Sequence, residues 1–188
     1  MALSSIALCS RALLKTGCRS ITSFDEGTAE AEVAGNLYET TRDALLSAHP
    51  WSFATAQETL PRLEAKPIAD FDYAFQLPAG FLRVISAGAG RGSGLTYRIQ
   101  ERRLHTHSSD AVLTYIFRPD ESEFPPFFDQ ILIARLAAEF CIPLTDSTSR
   151  SDALRKLADV EFRQARLIDS QQDTPSAFED FNLIGARS

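Results

Sequence analysis

The stretch Arg42-Asp43-Ala44-Leu45-Leu46-Ser47-Ala48-His49-Pro50-Trp51-Ser52-Phe53-Ala54 holds the only tryptophan of the chain and divides two kinds of sequence. Ahead of the tryptophan, Val33, Leu37, Thr41, Ala44, Leu45 and Ala48 recur at helical spacing, so one face of the segment is apolar. Pro50 disfavours helical geometry at His49 and cannot donate to the helix ladder, so the helix stops there. Trp51 and Phe53 alternate on a segment that reads as extended, which predicts both rings on one side. From Trp51 to Phe117 the apolar pattern has period two. The stretch reads as a structural junction between a helical part and a β part, and nothing in it looks catalytic.

On the N-terminal side, a first helix is expected over residues 3–16. Ile6, Cys9, Leu13 and Leu14 share a face, Ser4 or Ser5 can cap its start, and Gly17 can end it. Ser23-Phe24-Asp25-Glu26 matches a capping box and predicts a second helix from Phe24 to Ala48. Gly27 and Gly35 each weaken it by about 1 kcal/mol relative to alanine, so it needs tertiary packing to hold. On the other side, strands are expected at 53–60, 72–77, 81–87, 95–101 and 111–117. Pro61, Pro67 and Pro78 punctuate them, and the glycine-rich run at 88–94 reads as a hairpin connection. The last strand carries Leu113, Tyr115 and Phe117 on one face and Val112, Thr114 and Ile116 on the other, which predicts a place inside the sheet.

Helical spacing returns after Pro125-Pro126. Phe128, Leu132, Leu136 and Phe140 line one face of a third helix, with Ile131 and Ala138 beside it, over residues 126–142; Ile142-Pro143 is expected to end it. Ser149-Arg150-Ser151-Asp152 is a cap-like start for a fourth, over 150–171, with Leu154, Leu157, Ala158, Glu161, Phe162, Ala165 and Ile168 along a broad stripe. Segregated helices and strands predict an α+β fold. Residues 1–172 would form one domain: a bundle of two N-terminal and two C-terminal helices, with a small antiparallel sheet inserted at about 51–117. An extended C-terminal arm would follow at 173–188.

At 188 residues, with 44% hydrophobic and 23% charged, the chain can bury one sizeable core. No stretch approaches the roughly 20 uninterrupted apolar residues of a spanning helix. The net charge of −6 and the lack of a basic run argue against tight, sequence-independent nucleic-acid binding. They are compatible with DNA sliding past a surface that repels phosphate. Cys9, Cys18 and Cys141 include no CxxC pair, which speaks against a disulfide framework or a zinc site. Residues 1–24 contain no acid, several serines, and Arg11, Lys15 and Arg19. That composition is the one a mitochondrial transit peptide has, but the plainer and favoured reading is an ordinary amphipathic first helix.

No motif supports a catalytic residue, a cofactor or a metal. The glycine run lacks the Gly-Lys-Ser/Thr ending of a phosphate loop and does not open a helix. His105 and His107 could face one side of a strand, but no third ligand has a convincing spacing. His49 sits where a histidine can meet the terminal carbonyls of a helix. Asp70, Asp72, Glu121 and Glu123 read as solvated acids in loops, and no Gly-x-Ser-x-Gly or Cys/His signature is present. The one unusual segment is residues 173–188, where Phe178, Phe181, Leu183 and Ile184 stand among polar residues. A terminal tail without a partner should be polar. These side chains therefore either fold back on the domain or form an arm that docks in a groove of another subunit or protein.

The order of local patterns resembles the tail tubular protein A family, the head-to-tail adaptors of tailed phages. The patterns are Ala7-Leu8-Cys9-Ser10-Arg11-Ala12-Leu13, then Ile21-Thr22-Ser23-Phe24-Asp25, Leu37-Tyr38, and Arg42-Asp43-Ala44-Leu45-Leu46 with His49-Pro50-Trp51-Ser52-Phe53-Ala54. Tyr73-Ala74-Phe75-Gln76-Leu77-Pro78 comes next, leading into Leu82-Arg83-Val84. Leu113-Thr114-Tyr115-Ile116, Arg135-Leu136-Ala137-Ala138-Glu139 and Pro143-Leu144-Thr145 complete the series.

The resemblance implies a helical bundle with a β insertion that assembles as a ring, typically of twelve copies, beneath the portal protein. It implies a partner on the tail side (a stopper, nozzle or tail-terminator protein) and DNA passing through the channel without sequence-specific binding. It also implies a C-terminal segment that grips the portal, which assigns Phe178, Phe181, Leu183 and Ile184 to portal contact. The expected location is the head–tail junction of a phage, prophage or gene-transfer-agent particle, assembled in the bacterial cytoplasm, with no membrane contact. Two other readings remain: a small soluble hydrolase-like enzyme, resting on His49, His105, His107 and scattered acids, and a mitochondrial protein with a cleaved leader.

Overall fold

Local capping chemistry fixes most helix ends in the computed structural model, which describes residues 3–88 and 94–172. Helix α1 spans Ser5–Thr16; the Ser4 hydroxyl accepts from Ala7 N–H, and Gly17, at φ +85°, closes the far end. Helix α2 spans Ala29–Ala48 and is capped by Thr28. The start expected at Phe24 is therefore corrected. Ser23 Oγ accepts from Asp25 N–H and Glu26 reaches back to Thr22, so the apparent capping box is consumed in a turn. Gly27 at φ +72° separates that turn from the helix. His49, which ends α2, is extended, as the following proline requires.

Among the described residues six strands come after it: β1 (Thr55–Thr59), β2 (Tyr73–Gln76), β3 (Phe81–Ala87), β4 (Tyr97–Gln100), β5 (Arg103–Thr106) and β6 (Val112–Phe117). They form two antiparallel three-stranded sheets, ordered β1-β6-β3 and β2-β5-β4, where one sheet was expected. Strand β5 had no sequence signal because the β4–β5 turn is made by Glu101 and Arg102, both at positive φ, rather than by the usual Asn-Gly or Gly. Ser52–Ala54 is a short 3-10 turn rather than the start of a strand. The Trp51 carbonyl accepts from both Ala54 N–H and Thr55 Oγ1, which curls the chain. The Trp51 and Phe53 rings still meet, at 6.3 Å.

Helix α3 (Pro126–Thr145) runs through Pro143 instead of ending there. A proline deprives only the carbonyl four residues earlier of its partner. The turn beyond it is held by Thr145 Oγ1 donating to Cys141 O at 2.6 Å, and Asp146 at φ 51° ends the helix. Helix α4 (Thr148–Ser170) is capped by Ser147, two residues before the expected start. The fold is α+β, with four helices and two small antiparallel sheets among the described residues.

Two cores result. The bundle core gathers Leu8, Leu13, Leu46, Trp51, Phe128, Leu132, Leu136 and Phe140. The second core, between the sheets, gathers Leu60, Phe75, Leu77, Leu104, Leu113 and Tyr115. Strand β6 is the wall between them: Leu113 and Tyr115 belong to the sheet core and Ile116 to the bundle core. That accounts for its two apolar faces and its central place in the sheet, both as the sequence predicted.

Candidate functional site

Three groups of side chains converge on the seam between bundle and sheet. The first is Trp51, which is fully buried. Its Nε1–H donates to Leu45 O at 3.1 Å, so the indole is tied to the last turns of α2. Its ring meets Phe128 of α3 edge-on at 5.5 Å and Phe162 of α4 at 5.9 Å. One residue thus holds three helices where the chain leaves the bundle for the sheet.

The second group is built on Arg42, which is buried in α2. Its Nε donates to Asp43 Oδ1 at 3.0 Å and its Nη1 to Glu121 Oε1 at 3.2 Å. Tyr38 OH also donates to Glu121, at 3.0 Å. Arg118, just past β6, grips both oxygens of Asp43. This network fastens α2 to the end of the sheet. Burial alone would lower the Arg42 pKa, but Asp43, Tyr38 and Glu121 outweigh it and the net shift is upward. The Tyr38 phenol is pushed up by burial and then by the Glu121 charge.

The third group is centred on Asp169, in the last turn of α4, where the helix dipole disfavours an acid. Compensation comes from the seam. Ser52 donates its N–H to both carboxylate oxygens, at 3.1 and 3.2 Å, and its Oγ–H to Oδ1 at 2.7 Å. His49 Nε2 lies 3.5 Å from Oδ2. The helix end that leads into residue 173 is therefore latched to His49 and Ser52. Burial, and then the Arg166 charge, lower the His49 pKa against the pull of Asp169.

Serine, histidine and aspartate are the residue types of a hydrolytic triad, but the connections differ. The Ser52 hydroxyl donates to the acid, and the acid stands between it and His49. A triad needs the histidine to take the serine proton. The arrangement is a latch.

The other residues singled out by type and spacing do not come together. His105 lies on β5 in register with Arg98 and Ala74. His107 lies just past the strand and sits 2.9 Å from Asp72 at an exposed position. Among the described residues no group of three or more His, Cys, Asp or Glu could hold a metal ion. Burial pushes the Cys9 thiol up to about 12, so it is no nucleophile at neutral pH. A groove of about 320 Å³ on the sheet is lined by Lys66, Asp70, Arg98, Arg103 and His105, with Arg98 paired to Asp70 at 2.7 Å. A second, of about 430 Å³, lies between α2 and α3 along Leu37, Ala44, Ala48, Arg135 and Glu139. Phe178, Phe181, Leu183 and Ile184, the predicted portal contacts, lie outside the described residues.

Sequence reasoning placed Glu121 among solvated acids, whereas it anchors the second group, and it missed Asp169 altogether. Among the described residues no helix is long and apolar enough to cross a membrane. No protein-family model matches the chain, and no curated protein matches it.

Proposed function

We propose that this chain is a structural head-to-tail adaptor of a tailed phage or phage-like particle. In this reading about twelve copies form a ring beneath the portal, continue the DNA channel and present a surface to the next tail component. The observation that carries the reading is the seam. Arg42-Asp43 and Pro50-Trp51-Ser52-Phe53, the core of the resemblance to tail tubular protein A, are the residues that join the bundle to its inserted sheet. A sequence pattern that coincides with a working structural joint supports kinship of architecture more than any single match does.

The mechanism is assembly rather than catalysis. Ring contacts are heterologous, one face of each subunit meeting a different face of its neighbour. Residues 173–188 are the portal-binding arm, with Phe178, Phe181, Leu183 and Ile184 as anchors. The Asp169 latch favours this use, because a fixed root confines the ordering entropy of docking to the arm itself. Purification of the native particle with this chain tagged tests the reading. Portal and capsid proteins should come with it in ring-to-shell proportion; a free monomer that never accompanies a portal rejects it.

The two other readings have less support. Cleaving a leader would remove α1, whose Leu8, Cys9, Ala12 and Leu13 are fully buried in the bundle core. An intact N-terminus by mass spectrometry rejects the leader. Replacing His49, His105 and His107 in turn, with no change in function, rejects the enzyme.

A further inference from the structure

Helix α4 leaves a large part of its apolar surface uncovered. Leu157, Val160, Leu167 and Ile168 are exposed by 40, 40, 64 and 46%. Their spacing puts them on one side of the helix, next to the face that buries Ala158 and Ala165 against the bundle. Lys156 and Arg163 are interleaved on the same ridge, both exposed, and neither is ion-paired among the described residues. Glu161 and Gln164 stand between Leu157 and Ile168 on the next ridge, so the stripe is a mixed face, apolar along its length with cations on one edge, and such a face is suited to binding.

We propose that this stripe is the seat of the chain's own residues 173–188, which lie back along α4 whenever no partner holds them. Three observations select this occupant. The segment begins close to the stripe's end, because α4 closes at Ser170 and its last turn is pinned by Asp169. The dimensions agree: Leu157 to Ile168 spans about 17 Å of helix, and Phe178 to Ile184, extended, spans about 20 Å. The residues between Gln172 and Phe178 reach up to about 20 Å, enough to reverse the chain. The chemistry also agrees: Phe178, Phe181, Leu183 and Ile184 match the apolar stripe, and Glu179-Asp180 matches Lys156 and Arg163.

Fold-back needs no portal and stands without the adaptor reading. If that reading holds, it also explains restraint before assembly. A seated arm lowers apparent affinity for any partner by the fraction of time it is free.

The test is disulfide trapping in the full chain, with Cys18→Ser to remove the half-exposed native thiol. Val160→Cys with Leu183→Cys is oxidised by glutathione disulfide at low protein concentration, beside a distant control pair, Glu64→Cys with Leu183→Cys. Tethering predicts an intrachain disulfide in the monomer that forms at least about tenfold faster than in the control. Lys156→Glu with Arg163→Glu should slow it while the circular dichroism of the helices stays unchanged. Disulfides between chains would assign the stripe to a second copy and overturn the proposal. A trapping rate equal to the control, or one indifferent to the charge reversal, would overturn it as well.

Discussion

Helices α3 and α4 are similar in length and lie against one another, yet they place their side chains in opposite ways. Eleven of the 20 residues of α3 are buried, among them Phe128, Ile131, Leu132, Leu136 and Phe140. Of the 23 residues of α4 only Ser151, Ala158, Ala165 and Asp169 are buried, while Leu157, Val160, Leu167 and Ile168 face outward. A helix that is apolar on every side is a core element. Helix α4 packs on the bundle along one side only, through Leu154, Ala158, Phe162 and Ala165, and leaves large apolar side chains on the other. The fold thus resides in α3 and the seam, while α4 leaves apolar surface uncovered.

That division predicts a graded series of effects. Trp51→Ala or Phe128→Ala should lower unfolding free energy by about 3–5 kcal/mol in urea titrations, because each leaves a cavity in the bundle core. An intact fold with Trp51→Ala that fails only in particle assembly would show the tryptophan to be a contact residue instead. Asp169→Ala should cost about 1–3 kcal/mol, since Ser52 loses the acceptor for its N–H and hydroxyl. The loss should appear as faster hydrogen exchange confined to the last turn of α4; slow exchange there would break the latch.

Asp129 should act in the opposite direction. Its carboxyl pKa is raised by burial and its Oδ1 has no hydrogen-bond partner. Folding therefore favours the protonated acid, and stability contributed below the unfolded pKa is lost as pH rises through the folded value. Asp129→Asn should stabilise the protein by about 1 kcal/mol at pH 7 and less near pH 4. His49 has the reverse sign. Its pKa is lowered by burial, so the stability present above about pH 6.5 declines as pH falls toward the folded value. His49→Gln should flatten that part of the pH–stability curve. Least affected should be Leu167→Ala, which should change stability by less than about 0.5 kcal/mol; a large loss would erase the contrast between the two helices.

How much the sequence made legible depends on the range of the forces involved. The α1 caps, the α2 stop at Pro50, the two-faced β6 and the α3 stripe all rest on neighbours a few residues apart, and each was readable. The Ser23–Glu26 box looked local too, but Gly27 and the competing Thr28 cap moved the helix start. Strand β5 escaped because Glu101-Arg102 makes a turn that composition does not mark. The bonds from Ser52 to Asp169 and from Arg42 to Glu121 join residues 117 and 79 positions apart, and no periodicity encodes such pairings.

The most direct measurement is portal binding by the chain truncated after Gln172, read by surface plasmon resonance against the portal of the same particle. The truncated protein should keep the helical circular dichroism and melting behaviour of the full chain and should lose portal binding. Undiminished portal binding by the folded, truncated protein would contradict the docking role of residues 173–188.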